Sequence, residues 1–201
     1  RAGRCGVQVH RFAGEGMNHP GPIAKGRAFP ARPFAFQERY SAMDKSVDEH
    51  YLREAIALAR AGMERGDGGP FGCVIVKDGR VIGRGNNRVT SSNDPTAHAE
   101  VVAIREACAA LGTFQLAGAT LYTSCEPCPM CLGAIYWARP DRIVFAGDRQ
   151  DAADAGFDDS LIYDELPQPP AQRRIRTEQA LRAEAQEVFA RWKEKADRTP
   201  Y

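Results

Sequence analysis

The chain has 201 residues, 43% of them hydrophobic and 26% charged, which is enough for one well-buried core with tails. Residues 1–42 carry seven Lys or Arg against two Glu, a local net of +5, whereas the other 20 basic residues face 24 acidic ones, a net of −4. An acidic body argues against a phosphate-backbone partner and for a small substrate, and no run of about 18 apolar residues offers a membrane span.

Residues 1–42 are rich in Gly, Pro and Arg and show no helical or strand period. They read as a disordered or non-native extension, or, given Arg richness with few acids, as a transit peptide; Met43 reads as the natural start. Ser46 to Glu49 (SVDE) has capping-box spacing, and Leu52, Ala55, Ile56, Ala59 and Met63 then recur at helical spacing up to Gly66. An apolar strand is predicted over Cys73 to Val76, a two-residue hairpin turn at Asp78-Gly79, and a returning strand over Val81 to Val89. Val101, Val102, Ile104, Cys108 and Leu111 mark a second helix closed by Gly112, and Thr120 to Thr123 reads as a third strand. Pro129 suits the first position of a third helix ending before Pro140. Arg142 to Gly147 then forms a fourth strand, parallel to the third by strand–helix–strand order. Gln150 to Tyr163 is ambiguous, Pro167, Pro169 and Pro170 form a linker, and Leu181, Ala185, Val188, Phe189 and Trp192 mark a final amphipathic helix. The expected architecture is a three-layer α/β/α sandwich around a mixed sheet, with the main domain over residues 43–166 and a linker and helix over 167–201.

Two short stretches carry chemistry. In TAHAE, His98 precedes Glu100 by two residues; in TSCEPCPMC, Cys128 and Cys131 are three apart behind Pro127. One imidazole and two thiolates are natural zinc ligands, and three protein ligands leave a fourth tetrahedral position open for water. A neighbouring carboxylate can then move the protons of a hydrolysis. This combination, H-x-E followed by P-C-x-x-C, is the zinc-deaminase signature. Both pairs are expected to open helices, whose N-termini favour thiolates.

Two other readings stay open. Cys125, Cys128 and Cys131 have the spacing of an iron–sulfur run, although Ile135 and Tyr136 stand where the later Cys-Pro belongs. Cys125 as a fourth ligand would instead close a structural zinc site without catalysis and leave Glu100 idle. His10, His19 and His50 have no partner at ligand spacing. Clustered cysteines suit metal ligation in a reducing cytoplasm more than a disulfide framework.

GGPFGCVIVKDG, SNDPTAHAEVVAIR, LYTSCEPCPMCLGAIYWARP and DAADAGFDDS together resemble the bacterial guanine deaminases of the cytidine-deaminase-like superfamily, from about Ser46 to Tyr201. The resemblance implies a Zn2+ ion held by His98, Cys128 and Cys131, with Glu100 as proton shuttle in the conversion of guanine to xanthine and ammonia. It also implies a purine pocket of Asn87, Asp159, Phe71 and Trp137, and closure of the site by Tyr201 in a homodimer with exchanged C-terminal segments. A small purine is the implied partner, with no nucleic acid or membrane. From the residues alone, Asn86 and Asn87 serve equally as turn residues, Asp158 and Asp159 as a helix cap, and Phe71 and Trp137 as core. Guanosine is the nearest alternative substrate. A tRNA adenosine deaminase shares HAE and PCxxC but calls for a basic face, which the acidic body lacks.

Overall fold

The computed structural model describes residues 42–200; the expectations for residues 1–41 and for Tyr201 fall outside the described residues. The order is α1 (Ala42–Glu64), β1 (Gly72–Lys77), β2 (Arg80–Asn86), α2 (Val89–Ser92), α3 (Ala99–Leu111), β3 (Ala119–Cys125), α4 (Pro129–Ala138), β4 (Arg142–Gly147), α5 (Arg149–Asp154), α6 (Ser160–Glu165), a 3-10 turn (Pro170–Gln172) and α7 (Arg182–Glu194).

The four strands form one sheet in the order β2-β1-β3-β4, with β1 antiparallel to both neighbours and β3 parallel to β4. The β1–β2 turn places Asp78 and Gly79 both at positive φ (50° and 71°), the type I′ geometry whose twist matches a hairpin. Alternation along β1 splits the core into two layers. Cys73 and Ile75 join Ala99, Ala103, Ala107, Leu121 and Ile135 under α3 and α4, whereas Val74 and Val76 join Ala55 and Tyr122 under α1. The sheet is therefore covered on both faces, as the expected three-layer sandwich requires.

Glycines let the helices sit close. A Cβ on Gly85 would stand 2.1 Å from the Ala99 carbonyl oxygen in α3, and one on Gly72 would stand 2.1 Å from the Ala55 carbonyl oxygen in α1. A polar clamp also ties α1 to the sheet. Asp48 is 3% exposed, and its Oδ1 accepts from the Tyr122 hydroxyl at 2.8 Å and from Arg142 at 2.8 Å.

Three boundaries differ from the sequence expectation. α1 starts at Ala42, so Ser46 lies inside it; Glu49 accepts from Arg53 at 2.8 Å one turn on instead of closing a capping box. β2 ends at Asn86 and Val89 opens the short α2, because the chain must turn away from the sheet edge to reach α3. The ambiguous segment resolves into α5 and α6, the first held by an Asp148–Asp151 capping box. Helix α7 buries none of its side chains, leaving Val188 and Phe189 about two-thirds exposed at 66% and 65%. Among the described residues, no helix is long and apolar enough to cross a membrane.

Candidate active site

The chemistry-bearing pairs sit at two helix starts. His98 is the N-cap of α3 with Glu100 in its first turn, and Cys128 is the N-cap of α4 with Pro129 at its first position and Cys131 in its first turn. The His98 side chain makes no capping bond to α3, while the Cys128 sulfur meets Cys131 in its own first turn and His98 across the gap between the helices. Because β3 lies beside β1, and α3 and α4 pack on one face of the sheet, the two helix starts converge.

The His98 Nδ1 lies 3.6 Å from Cys128 Sγ and 3.5 Å from Cys131 Sγ, and the three ligand atoms lie within 4.8 Å of one another. Zn–N and Zn–S bonds at a tetrahedral angle span about 3.6 Å between nitrogen and sulfur. The donor set therefore fits zinc in both chemistry and spacing. The Cys131 thiol, donating to Cys128, and the neighbouring His98 hold the Cys128 thiol at about 4 against the opposing effect of burial, so it is a thiolate at neutral pH. The same hydrogen bond and burial push Cys131 upward, and the Cys128 sulfur raises the proton affinity of His98.

Glu100 is 6% exposed. Its Oε2 stands 3.3 Å from Cys131 Sγ, and the buried Thr123 hydroxyl stands 3.4 Å from Oε1. Burial raises its pKa, which brings a carboxyl group nearer to neutral-range proton exchange.

Cys125 takes no part in this cluster. Its Sγ donates to the Asp148 carbonyl at 3.3 Å, and burial pushes its thiol up to about 11. That removes the fourth ligand needed for a closed structural zinc site and the third thiolate of an iron–sulfur run. The cluster keeps three protein ligands, the pattern of a site with an open position.

A cavity of about 420 Å³ opens over the cluster, with His98, Glu100 and Cys128 in its wall. Phe71, Asn87 and Asp159 also line it, as do Phe157, Glu126, Met130 and Ile162. Phe71 and Phe157 meet edge to face, with centroids 4.9 Å apart and an interplanar angle of 84°. Asn87 is both turn residue and wall: its Oδ1 accepts from Val89 N at 3.1 Å. The neighbouring Asp158 and Asp159 divide their work. Both line the cavity, but Asp158 accepts from Ser160 N at 2.9 Å, whereas Asp159, at the N-cap position of α6, makes no capping bond. Burial and the Cys128 sulfur raise the pKa of Asp159.

Trp137 does not line this cavity. It is in the last turn of α4, nine residues beyond Cys128 and so about 13 Å along the helix axis. There it is 63% exposed and borders a second, apolar cavity of about 510 Å³ with Ile104, Cys108, Phe114, Ala134 and Ala138. The expected place of Trp137 beside the base is thus corrected for this chain's own site. Phe157 is the aromatic wall residue that sequence reasoning missed, along with Glu126, Met130 and Ile162. The signal for Phe157 was its position inside AGFDDS, next to the two aspartates already singled out.

The zinc-binding region of cytidine and deoxycytidylate deaminases matches residues 45–147, which contain all three ligands and Glu100. The chain belongs to this deaminase family. Among its deaminase relatives, guanine deaminase from Bacillus subtilis (strain 168) is 55% identical over 153 residues, covering 76% of this chain and 98% of that protein. The solved structure of guanine deaminase from Bacillus subtilis superposes with a TM-score of 0.75 over the same shares. The tRNA-specific adenosine deaminase of Bacillus subtilis (strain 168) is 47% identical over 49% of this chain and 60% of its own length. A solved complex with 2,6-diaminopurine is 35% identical, with a TM-score of 0.53, over 56% of this chain and 62% of the other.

Proposed function

We propose that the protein catalyses the hydrolytic deamination of guanine to xanthine and ammonia. The reading is carried by the buried Glu100 carboxylate, set against the His98–Cys128–Cys131 donor set in the wall of a cavity large enough for a purine. His98, Cys128 and Cys131 hold the ion. Bound there, zinc supplies a Lewis acid that brings the pKa of water towards about 7. Glu100 accepts the proton of the attacking water at its carboxylate and passes it to a ring nitrogen. It then carries a proton to the departing amine, so the ring carbon exchanges nitrogen for oxygen. Phe71 and Phe157, in contact with each other, form one apolar wall for the base, while Asn87 and Asp159 meet its polar edge.

The choice of guanine is supported by the 55% identity over 98% of a guanine deaminase, and binding of a purine by the relative crystallised with 2,6-diaminopurine. A tRNA substrate is favoured by the 47% identity to a tRNA deaminase, but that match spans 60% of the relative, and residues 43–201 carry net −4 where a polynucleotide needs a basic face. We further propose a cytoplasmic homodimer in which Tyr201 closes the partner's site. The exposed apolar side chains of Phe114, Tyr136 and Trp137, and those of α7, support a second subunit.

The test is turnover of guanine, guanosine, cytosine and adenine by zinc-loaded protein, followed by ammonia release, with Glu100→Gln as control. Guanine is expected far above the others, and Glu100→Gln is expected to keep one zinc per chain while losing at least about 10²-fold in rate. Preferred turnover of guanosine would move the protein to nucleosides, and an active Glu100→Gln variant would refute the proton-carrying role.

A further inference from the structure

The Asn87 side chain is held on one side only. Its Oδ1 accepts from Val89 N at 3.1 Å and from Gly69 N at 3.3 Å. Both donors are backbone N–H groups, so the amide cannot be flipped, and Nδ2 is the end left for a ligand in the cavity. Half of this holder belongs to the loop after α1. Gly68 packs so close that a Cβ there would stand 2.3 Å from Asn87 Oδ1.

What anchors that loop is Asp67. Its Oδ2 accepts from Asn86 Nδ2 at 2.9 Å, and Asn86 is buried at 5% exposure, with the same Nδ2 3.2 Å from the Asn87 carbonyl oxygen. Arg65 donates to the same carboxylate oxygen at 2.7 and 3.1 Å, and it holds Asp67 below the usual carboxylate range. The Asp67 carbonyl accepts from Thr90 Oγ1 and Ser91 N, each at 3.1 Å, and so pins α2, whose first residue supplies the Val89 donor. Asp67 does not line the cavity, yet its side chain and backbone fasten both strands of chain that grip the Asn87 amide.

We propose that Asp67 is a positioning residue for purine recognition: through Asn86 and the Gly68–Gly69 backbone it locks Asn87 as a donor, so that the site selects a base edge presenting an acceptor there. The substrate part of this inference rests on the guanine reading above; the positioning part does not. Asp67→Ala removes the carboxylate that holds Asn86 and Arg65 and so loosens the Gly68–Gly69 side of the Asn87 grip, while the Asp67 carbonyl still holds Thr90 and Ser91. Asp67→Asn keeps an oxygen for Asn86 and should largely rescue it.

The test is a double-substitution cycle with Asp67→Ala and Asn87→Ala, read as KM and kcat for guanine at full zinc loading. Asp67→Ala is expected to raise KM by about tenfold with kcat within about twofold, the signature of lost binding common to ground and transition states. Asp67→Asn should stay within about threefold of the parent KM, and Asp67→Ala should add nothing once Asn87 is already Ala. A KM effect that persists in the Asn87→Ala background, or an unchanged KM in Asp67→Ala, overturns the proposal. A second readout needs no turnover: the Asn87 side-chain amide pair in a ¹⁵N–¹H spectrum, assigned by its loss in Asn87→Ala. It should shift and exchange faster in Asp67→Ala. An unmoved pair overturns the positioning role, whereas parent protein inactive on guanine with a shifted pair overturns the substrate reading alone.

Discussion

Gly85→Ala should disable the metal site without touching any residue in it. Gly85 is buried in β2, and its added Cβ would stand 2.1 Å from the Ala99 carbonyl oxygen, 2.7 Å from the Ala103 nitrogen and 3.1 Å from the Ala99 carbonyl carbon. All three are backbone atoms of α3, so no side chain can swing aside. Restoring ordinary contact requires the start of α3 to retreat by about 1 Å. That helix start carries His98 and Glu100, whereas Cys128 and Cys131 belong to α4. Metal–ligand distances tolerate about 0.2 Å, so a 1 Å retreat of the histidine takes the 3.5 and 3.6 Å nitrogen–sulfur spacings outside what one zinc ion can bridge. A misplacement of this size at Glu100 costs about 10²-fold in rate on its own. The assay is zinc per chain by elemental analysis after dialysis, together with turnover and a thermal melt. Gly72→Ala, which makes the same 2.1 Å clash on the opposite face against α1, is the control. It should lose stability but retain zinc. Full zinc occupancy with turnover within about threefold of the parent in Gly85→Ala would refute the argument.

Cys128→Ala is expected to lose both zinc and turnover, whereas Cys125→Ala is expected to keep one zinc per chain, since the Cys125 thiol is committed to the Asp148 carbonyl; metal analysis of the pair decides it. Asp48→Ala takes the acceptor from the buried Tyr122 hydroxyl and removes one partner of the Arg142 guanidinium. Breaking a buried pair costs about 3–5 kcal/mol, and with the Arg142 side chain 35% exposed, about 2–3 kcal/mol is expected. That corresponds to a fall of roughly 4–12 °C in melting temperature at this chain length. A fall under about 2 °C would show that the clamp between α1 and the sheet is not stabilising.

Much of the site was legible because its residues come in local pairs. His98 and Glu100 are two apart at one helix start, and Cys128 and Cys131 are three apart at another, so backbone geometry alone puts each pair on one turn. The element types were legible for the same reason. Apolar period, Pro129 and Gly112 act within a few residues, and the observed α3, β3, α4 and β4 bear them out. Local signals failed where a longer-range partner competed for the same side chain. The SVDE spacing suggested a capping box, but α1 begins upstream of it, Glu49 pairs with Arg53, and Asp48 is drawn under the sheet by Tyr122 and Arg142, 74 and 94 residues away.

The amino-acid sequence by itself determined the donor set, the carboxylate of Glu100 beside it and the helices that present them. Only the tertiary structure decided which side chains share the cavity. The sheet order β2-β1-β3-β4 brings α3 and α4 together, and the return of the chain after β4 sets Phe157 against Phe71, 86 residues earlier. It also turned Cys125 away towards Asp148, left Trp137 at the other end of α4 from the metal ligands, and fixed which end of the Asn87 amide meets the cavity. None of these follows from spacing along the chain. Each depends on a contact between segments whose approach is set by strand pairing and by the close glycine seats beneath the helices.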